Sequence, residues 1–281
     1  MTNRWAEIEI AATGDESQEK VGALLTETAG CQGYRAAASS VTGYLPVDER
    51  LENTLLTLRS ALSNDFPAST PEITIRFVAE EDWADAWKQY FKPQRIGDFF
   101  IVKPTWEPFS PANQDLVIEI DPGMAFGTGL HATTRLCLRA LEKRVTPDMT
   151  VADVGTGSGI LAIGAALLGA SYVEATDIDP LAVRIARENV AVNRLEDRIS
   201  VEEATSPPEG PFQLIVANIL ADVILAMTPD LYDALMPEGI LIASGIIENR
   251  SEDVRRGLEF AEFKILQTES DGEWVAITAR R

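Results

Sequence analysis

The chain has 281 residues, 46% of them hydrophobic, a length and core content that suit one large domain or two of ordinary size. It carries 24 basic and 44 acidic side chains, a net charge of −20 and a pI near 4.4, and the acidic excess holds both before and after residue 95. A field of that sign repels nucleic-acid phosphates and draws in a basic partner, and no apolar run approaches the ~20 residues needed to span a bilayer.

Trp5, Ile8 and Ile10 suggest an irregular first strand, and Val21, Leu24, Leu25 and Thr28 keep helical spacing. Residues 34–46 hold two short extended segments split by Ser39-Ser40. Leu51, Leu55, Leu58 and Leu62 form a helical stripe, and residues 73–78 alternate as a strand. The order β-α-β-β-α-β predicts a small ferredoxin-like α+β domain over 1–79. It has no glycine-rich loop and no cluster of catalytic side chains, which marks it as a substrate-recognition module.

A linker helix is expected over 80–95, with Trp83, Trp87, Tyr90 and Phe91 on one face and Pro93 ending it. Such a stripe serves packing first, and it can set the angle between two domains. From 96 onward strands alternate with helices, the pattern of a mostly parallel sheet. Strands are expected at 99–102, 115–120, 150–154, 172–177, 199–203, 212–217 and 239–243, and helices at 133–144, 160–168, 180–193, 221–235 and 248–260. Two last strands, 263–269 and 273–279, flank Asp271-Gly272, a hairpin signal.

Three segments carry candidate chemistry. In Asp153-Val154-Gly155-Thr156-Gly157-Ser158-Gly159, alternating glycines follow an apolar run and open a small-residue helix, allowing backbone to approach a ligand closely. Asp177 ends the next apolar run, where an acidic side chain meets ribose hydroxyls. A dinucleotide fingerprint needs glycine where Ile160 stands. The spacing D-x-G-x-G-x-G instead resembles that of S-adenosylmethionine (AdoMet) methyltransferases, whose fold also ends in an antiparallel hairpin. In residues 121–134, three glycines and Phe126 precede Thr133-Thr134, either of which suits the N-cap of the following helix. The free N–H groups there can hold a carboxylate, and Phe126–Gly129 has the composition of a closing loop. The third segment, 212–220, delivers Asn218 to a strand tip. Asn218 can orient an amine or contact the cofactor's amino-acid end, and by spacing alone it serves equally as a turn residue.

His131 is the chain's single histidine, with no paired nucleophile, and is assigned to orienting its loop. Cys31 and Cys137 lie far apart with no C-x-x-C partner, so no zinc site, other metal or disulfide framework is expected. With no signal-peptide core at the N-terminus, a monomeric cytoplasmic protein is expected.

These residues together resemble the PrmA-type methyltransferases, which modify large-subunit ribosomal protein number eleven. The resemblance runs over nearly the whole chain and is most specific at 81–93, 126–134, Asp153–Gly159 with Asp177-Ile178-Asp179-Pro180, and Ala217-Asn218-Ile219-Leu220-Ala221. It implies an N-terminal substrate-recognition domain (1–79), a linker helix (80–95) and a Rossmann-like methyltransferase domain (96–281). AdoMet contacts are implied at Thr134, Gly155, Asp177 and Asn218, with Asn218 also orienting the amine. Thr156 stands where the family usually has cysteine, and Ala132 where proline is common. The implied activity is N-methylation of lysine side chains and/or the N-terminal amine of that basic ribosomal protein, without direct nucleic-acid or membrane contact. Three alternatives remain: an exocyclic-amine nucleic-acid methyltransferase, a nicotinamide oxidoreductase, and a non-catalytic AdoMet-binding ribosome-assembly factor. The first lacks its expected post-asparagine aromatic, since Ala221 stands there.

Overall fold

A computed structural model describes residues 4–31, 33–46, 51–67, 70–79, 92–121 and 131–281. The aromatic stripe of the expected linker helix and the Phe126–Gly129 segment lie outside the described residues. The chain divides into two compact units, Met1–Tyr90 and Phe91–Arg281.

The first unit runs β1 (Arg4–Ala11), α1 (Asp15–Ala23), β2 (Tyr34–Ala36), β3 (Ser40–Pro46), α2 (Leu51–Asp65) and β4 (Ile73–Ala79). Among the described residues its sheet has the order β2-β3-β1-β4, antiparallel throughout, which is the ferredoxin-like arrangement. The inward face of β1 is Ala6, Ile8 and Ile10, all fully buried, in strict alternation. Trp5 belongs to the other face, which is why the strand reads as irregular when Trp5 is counted with Ile8 and Ile10. Val21 from α1, Leu25 from the π-helical turn Leu24–Thr28 that continues it, and Leu58 and Leu62 from α2 close this core.

In the second unit, β5 (Gln94–Ile96), β6 (Phe100–Lys103) and β7 (Leu116–Glu119) precede α3 (Ala132–Arg144). Gln94 and Arg95, assigned to the linker helix by sequence, are extended here and begin β5 directly after Pro93. The chain continues with β8 (Thr150–Val154), α4 (Ile160–Leu167), β9 (Tyr172–Asp177), α5 (Pro180–Val192), β10 (Ile199–Glu203), β11 (Phe212–Asn218) and α6 (Ala221–Ala234). It closes with β12 (Leu235–Ile247), α7 (Glu248–Phe260), β13 (Lys264–Asp271) and β14 (Trp274–Arg280).

Among the described residues, seven of these strands form one sheet in the order β10-β9-β8-β11-β12-β14-β13. The pairings from β10 to β12 are parallel, and β14 inserts antiparallel between β12 and β13. β8 is buried from Val151 to Val154, and β9 buries Val173, Ala175 and Thr176, as strands covered by helices must. The order reverses at β8, between β9 and β11, so the carboxyl ends of β8 and β11 diverge into a crevice, the usual ligand position in such sheets. The hairpin turn is Gly272-Glu273, with Gly272 at φ 62, one residue later than the Asp271-Gly272 signal.

β6 and β7 do not join the parallel series as their apolar pattern suggests. They pair with each other in parallel, and with β5 they form a separate small sheet among the described residues. Phe100 and Ile118 pack into the same core as Leu138 of α3 and Ile163 of α4. Gly164 permits this contact, since a Cβ there would lie 2.9 Å from Leu138 Cδ2 and 3.4 Å from Phe100 Cζ. The sheet therefore covers helices that already cover the main sheet. Lys103, buried, pairs with Glu119 at 2.6 Å across the register.

α3 is tied to the hairpin by Arg135–Asp271 (2.9 Å) and Lys143–Glu269 (2.7 Å). Among the described residues, no helix is long and apolar enough to cross a membrane.

Candidate active site

The glycine turn hangs from the end of β8. Gly155 and Thr156 donate their N–H groups to the Thr176 carbonyl of β9 at 2.8 and 2.9 Å. Gly155, Gly157 and Gly159 have φ values of 73, 55 and 83, conformations that side chains with a Cβ rarely adopt. At Gly155 a Cβ would also lie 2.3 Å from Ile219 Cγ2, so glycine is required there by space as well as by φ. Gly159 is the N-cap of α4 and brings no capping side chain. The cap comes from the strand instead: Asp153, 0% exposed, accepts the Ala162 N–H at 3.0 Å and the Thr156 hydroxyl at 2.7 Å, both on Oδ2. Burial pushes the Asp153 carboxyl up to about 7, against the lowering effect of those two hydrogen bonds.

Asp177, at the tip of β9, accepts the Gly157 N–H on Oδ2 (2.8 Å) and the Asp179 N–H on Oδ1 (3.0 Å). Each carboxylate oxygen keeps a further lone pair, so the side chain is fixed in place and can still accept from a ligand. Asp179 caps α5 by accepting the Leu181 N–H at 2.9 Å, with Pro180 at the first helical position.

Asn218 ends β11. The next peptide is held against β12, where Ile219 N–H donates to the Ser244 carbonyl at 3.2 Å. β12 shifts register between Ala243 and Ile246, and Gly245 at φ 82 makes room for this backbone: a Cβ there would stand 2.3 Å from the Ile219 carbonyl oxygen. Thr134 arrives from the first turn of α3, 0% exposed. The N-cap of α3 is His131, neither Thr133 nor Thr134: its Nδ1 lies 2.8 Å from Thr133 Oγ1 and accepts the Thr133 N–H at 3.4 Å. The His131 ring meets Trp274 of the hairpin edge-on, with centroids 4.9 Å apart. Burial, with Arg135 beside it, lowers the imidazole pKa against the opposing pull of Glu273. A threonine pair reads as the cap from sequence because histidine is not a favoured capping residue.

Thr134, Gly155, Asp177 and Asn218 all line one cavity of about 410 Å³ at the carboxyl ends of β8, β9 and β11. That volume suits a cofactor-sized molecule. Asp177 supplies the single charged side chain of a lining that is otherwise apolar or neutral among the described residues. Sequence reading missed Leu161, Ala204–Ser206, Leu220 and Val223, which also line it. A signal for Leu220 exists: like Ile178, which also lines the cavity, it is an apolar residue placed just after a strand tip, and the two are 70% and 68% exposed. Turns there are ordinarily polar.

Among the described residues, Thr134 Oγ1 and Asn218 Oδ1 are buried with no hydrogen-bond partner, and both residues face this cavity. Buried polar atoms are rarely left so. A molecule bearing hydroxyl and amino donors together with apolar surface answers that arrangement, and AdoMet is such a molecule. The fold and this cavity define an AdoMet-dependent methyltransferase, with AdoMet as its cofactor.

The family model described as ribosomal protein L11 methyltransferase (PrmA) matches residues 4–281. Ribosomal protein L11 methyltransferase of Pelotomaculum thermopropionicum is 50% identical over 85% of this chain and 79% of its own length. The protein of that name from Bacillus cytotoxicus is 41% identical over 99% of both chains. A crystal structure of ribosomal protein L11 methylase from Lactobacillus delbrueckii subsp. bulgaricus superposes with a TM-score of 0.65 at 36% identity, covering 68% of this chain and 99% of that one. The chain belongs to the ribosomal protein L11 methyltransferase family.

Proposed function

We propose that this protein transfers methyl groups from AdoMet to amino groups of ribosomal protein L11, on lysine side chains and/or the N-terminal amine. The observation that carries this reading is Asn218 Oδ1, buried without a partner among the described residues at the cavity beside the glycine turn, in a chain whose relatives are named ribosomal protein L11 methyltransferase.

Bound in the cavity, AdoMet supplies an electrophilic methyl group on a sulfonium. Asp177, held by two backbone N–H groups, accepts the ribose hydroxyls on its remaining lone pairs. Gly155 lets backbone approach the cofactor, and Thr134 Oγ1 meets its amino-acid end. Asn218 Oδ1 accepts a hydrogen bond from the substrate amine and aims the nitrogen lone pair along the displacement axis. A lysine amine with a solution pKa of about 10.4 is mostly protonated at neutral pH. The apolar lining disfavours the charged form, and the Asn218 carbonyl orients the neutral amine through one of its N–H bonds. Rate enhancement then comes mainly from proximity and alignment, without a dedicated base.

In this reading residues 1–79 recognise the substrate, 80–95 link, and 96–281 carry catalysis. The protein works as a cytoplasmic monomer without touching nucleic acid directly. The acidic surface, net −20, favours a basic ribosomal protein. The test is to incubate the protein with isotopically labelled AdoMet and unmethylated L11, with free ribosomal RNA in parallel, and to map the label by mass spectrometry. Label on L11 amines is expected; label on RNA alone overturns the reading.

A further inference from the structure

The buried carboxylate beneath the glycine turn has no place in the roles above, and its side-chain partner is Thr156, within the turn itself. Thr156, 4% exposed, lies between Gly155 and Gly157 and lines the cavity with its neighbours. Its hydroxyl donates to Asp153 Oδ2 at 2.7 Å, and the same oxygen receives the third N–H of α4, from Ala162, at 3.0 Å. One carboxylate oxygen therefore joins the turn that meets the ligand to the helix behind it. Among the described residues the other oxygen, Oδ1, has no partner. A thiol at 156 would be a weak donor in this position.

We propose that Thr156 is a positioning residue for the cofactor turn, its hydroxyl tying Gly155–Gly157 to α4 through the ionised carboxylate of Asp153. Charge matters because both bonds are charge-assisted only while Asp153 is an anion, and such bonds are about twice as strong as neutral ones. An anion there also completes the N-terminus of a helix whose own cap is a bare glycine. The groups that face Asp153 set the balance. Burial, with Asp177 across the turn, opposes ionisation; the Thr156 hydroxyl and the Ala162 N–H favour it. Cys137 of α3 lies close enough to feel this charge, and its thiol is pushed up to about 12, chiefly by burial, so it stays neutral throughout. Asp153 is poised near neutrality by this balance, and removing the Thr156 donor shifts it toward the protonated state.

The inference rests on the reading that AdoMet occupies this cavity. Its test is calorimetric AdoMet binding between pH 5.5 and 9 for the native chain and for Thr156→Val, Thr156→Ser and Thr156→Cys. A ¹³C titration of the Asp153 carboxyl runs alongside without ligand. Affinity is expected to weaken as pH falls through the Asp153 transition. In Thr156→Val that transition moves upward by roughly one pH unit, the effect of one lost hydrogen bond to an anion, and binding at pH 7 weakens about fivefold. Thr156→Ser should restore the native transition, and Thr156→Cys should fall between. A Thr156→Val protein that melts lower but keeps the native transition in both measurements overturns the inference, leaving Thr156 a packing residue. Should Thr156→Val fail to fold, a native transition in Thr156→Cys would overturn it equally. Absence of AdoMet binding by the native protein at every pH would instead overturn the reading of the cavity, while the ligand-free titration still judges the role of Thr156.

Discussion

The two walls of the cavity are built on opposite terms. On the β8–β9 side, the turn N–H groups of Gly155, Thr156 and Gly157 and the carboxylate of Asp177 are already partnered within the protein. On the β11–α3 side, Asn218 Oδ1 and Thr134 Oγ1 are buried without partners among the described residues. The first wall is rigid before any ligand arrives, which lowers the cost of ordering on binding. The second leaves its polar atoms unmatched in the protein alone, as expected of groups that act on a ligand. Holding falls to the first wall and acting to the second, and a substitution in either wall tests that division.

The largest expected effect is on the acting side. Asn218→Ala should lower turnover at saturating AdoMet by about 10²–10³-fold, the scale of losing one positioned polar group, while the melting temperature changes little. Single-turnover methyl transfer measures it, and native turnover would remove Asn218 from the chemistry. Next comes the holding side. Asp177→Ala strips the ribose acceptors and two backbone partners together, and should raise the AdoMet Kd by about 10–100-fold in calorimetry, with a smaller change in saturated turnover. Equal losses in Kd and turnover would erase the distinction between the walls.

Thr134→Val is smaller and sharper. It removes a hydroxyl that has no partner among the described residues, so stability should hold or rise slightly while AdoMet binding weakens about five- to tenfold. A protein destabilised by this change would show that the hydroxyl has an internal partner. The smallest effect is on stability against pH. The Asp153 pKa in the folded protein, about 7, stands above the usual carboxylate value, so the folded chain holds an extra proton between roughly pH 4 and 7. Native stability should therefore fall as pH rises through that window. Asp153→Asn lacks this loss, so the native melting temperature should drop by a few degrees relative to the variant across it. Parallel curves would show that Asp153 ionises normally.

Much of the domain that bears these walls was legible in the sequence. β8 and β11 are mostly buried, and in β11 burial on both faces leaves the apolar run Leu214–Ala217, which reads plainly as a strand; β9 and β10 read from alternation, with Val173, Ala175, Ile199 and Val201 buried. The glycine spacing was legible for a different reason: positive φ at 155, 157 and 159 admits few other residues. What could not be read is which sheet a short apolar strand joins. β6 and β7 look like members of the parallel series, and their separate sheet depends on packing against α3 and α4, residues distant in sequence. The Asp153–Thr156–Ala162 linkage was equally invisible, because a motif reading counts the glycines and passes over the donors between them. His131 as a helix cap follows from its contact with Trp274, 143 positions away by number.

Gly245 illustrates how far the influence of one backbone position extends. It is not itself one of the residues that line the cavity, yet any β-carbon there would collide with the Ile219 carbonyl and displace the strand tip that presents Asn218. A saturation screen scored on methylation would mark position 245 as intolerant and invite its classification among ligand contacts. Its intolerance measures clearance between two crossing backbones, and mutational maps of such domains need that distinction before their hot positions are equated with chemistry.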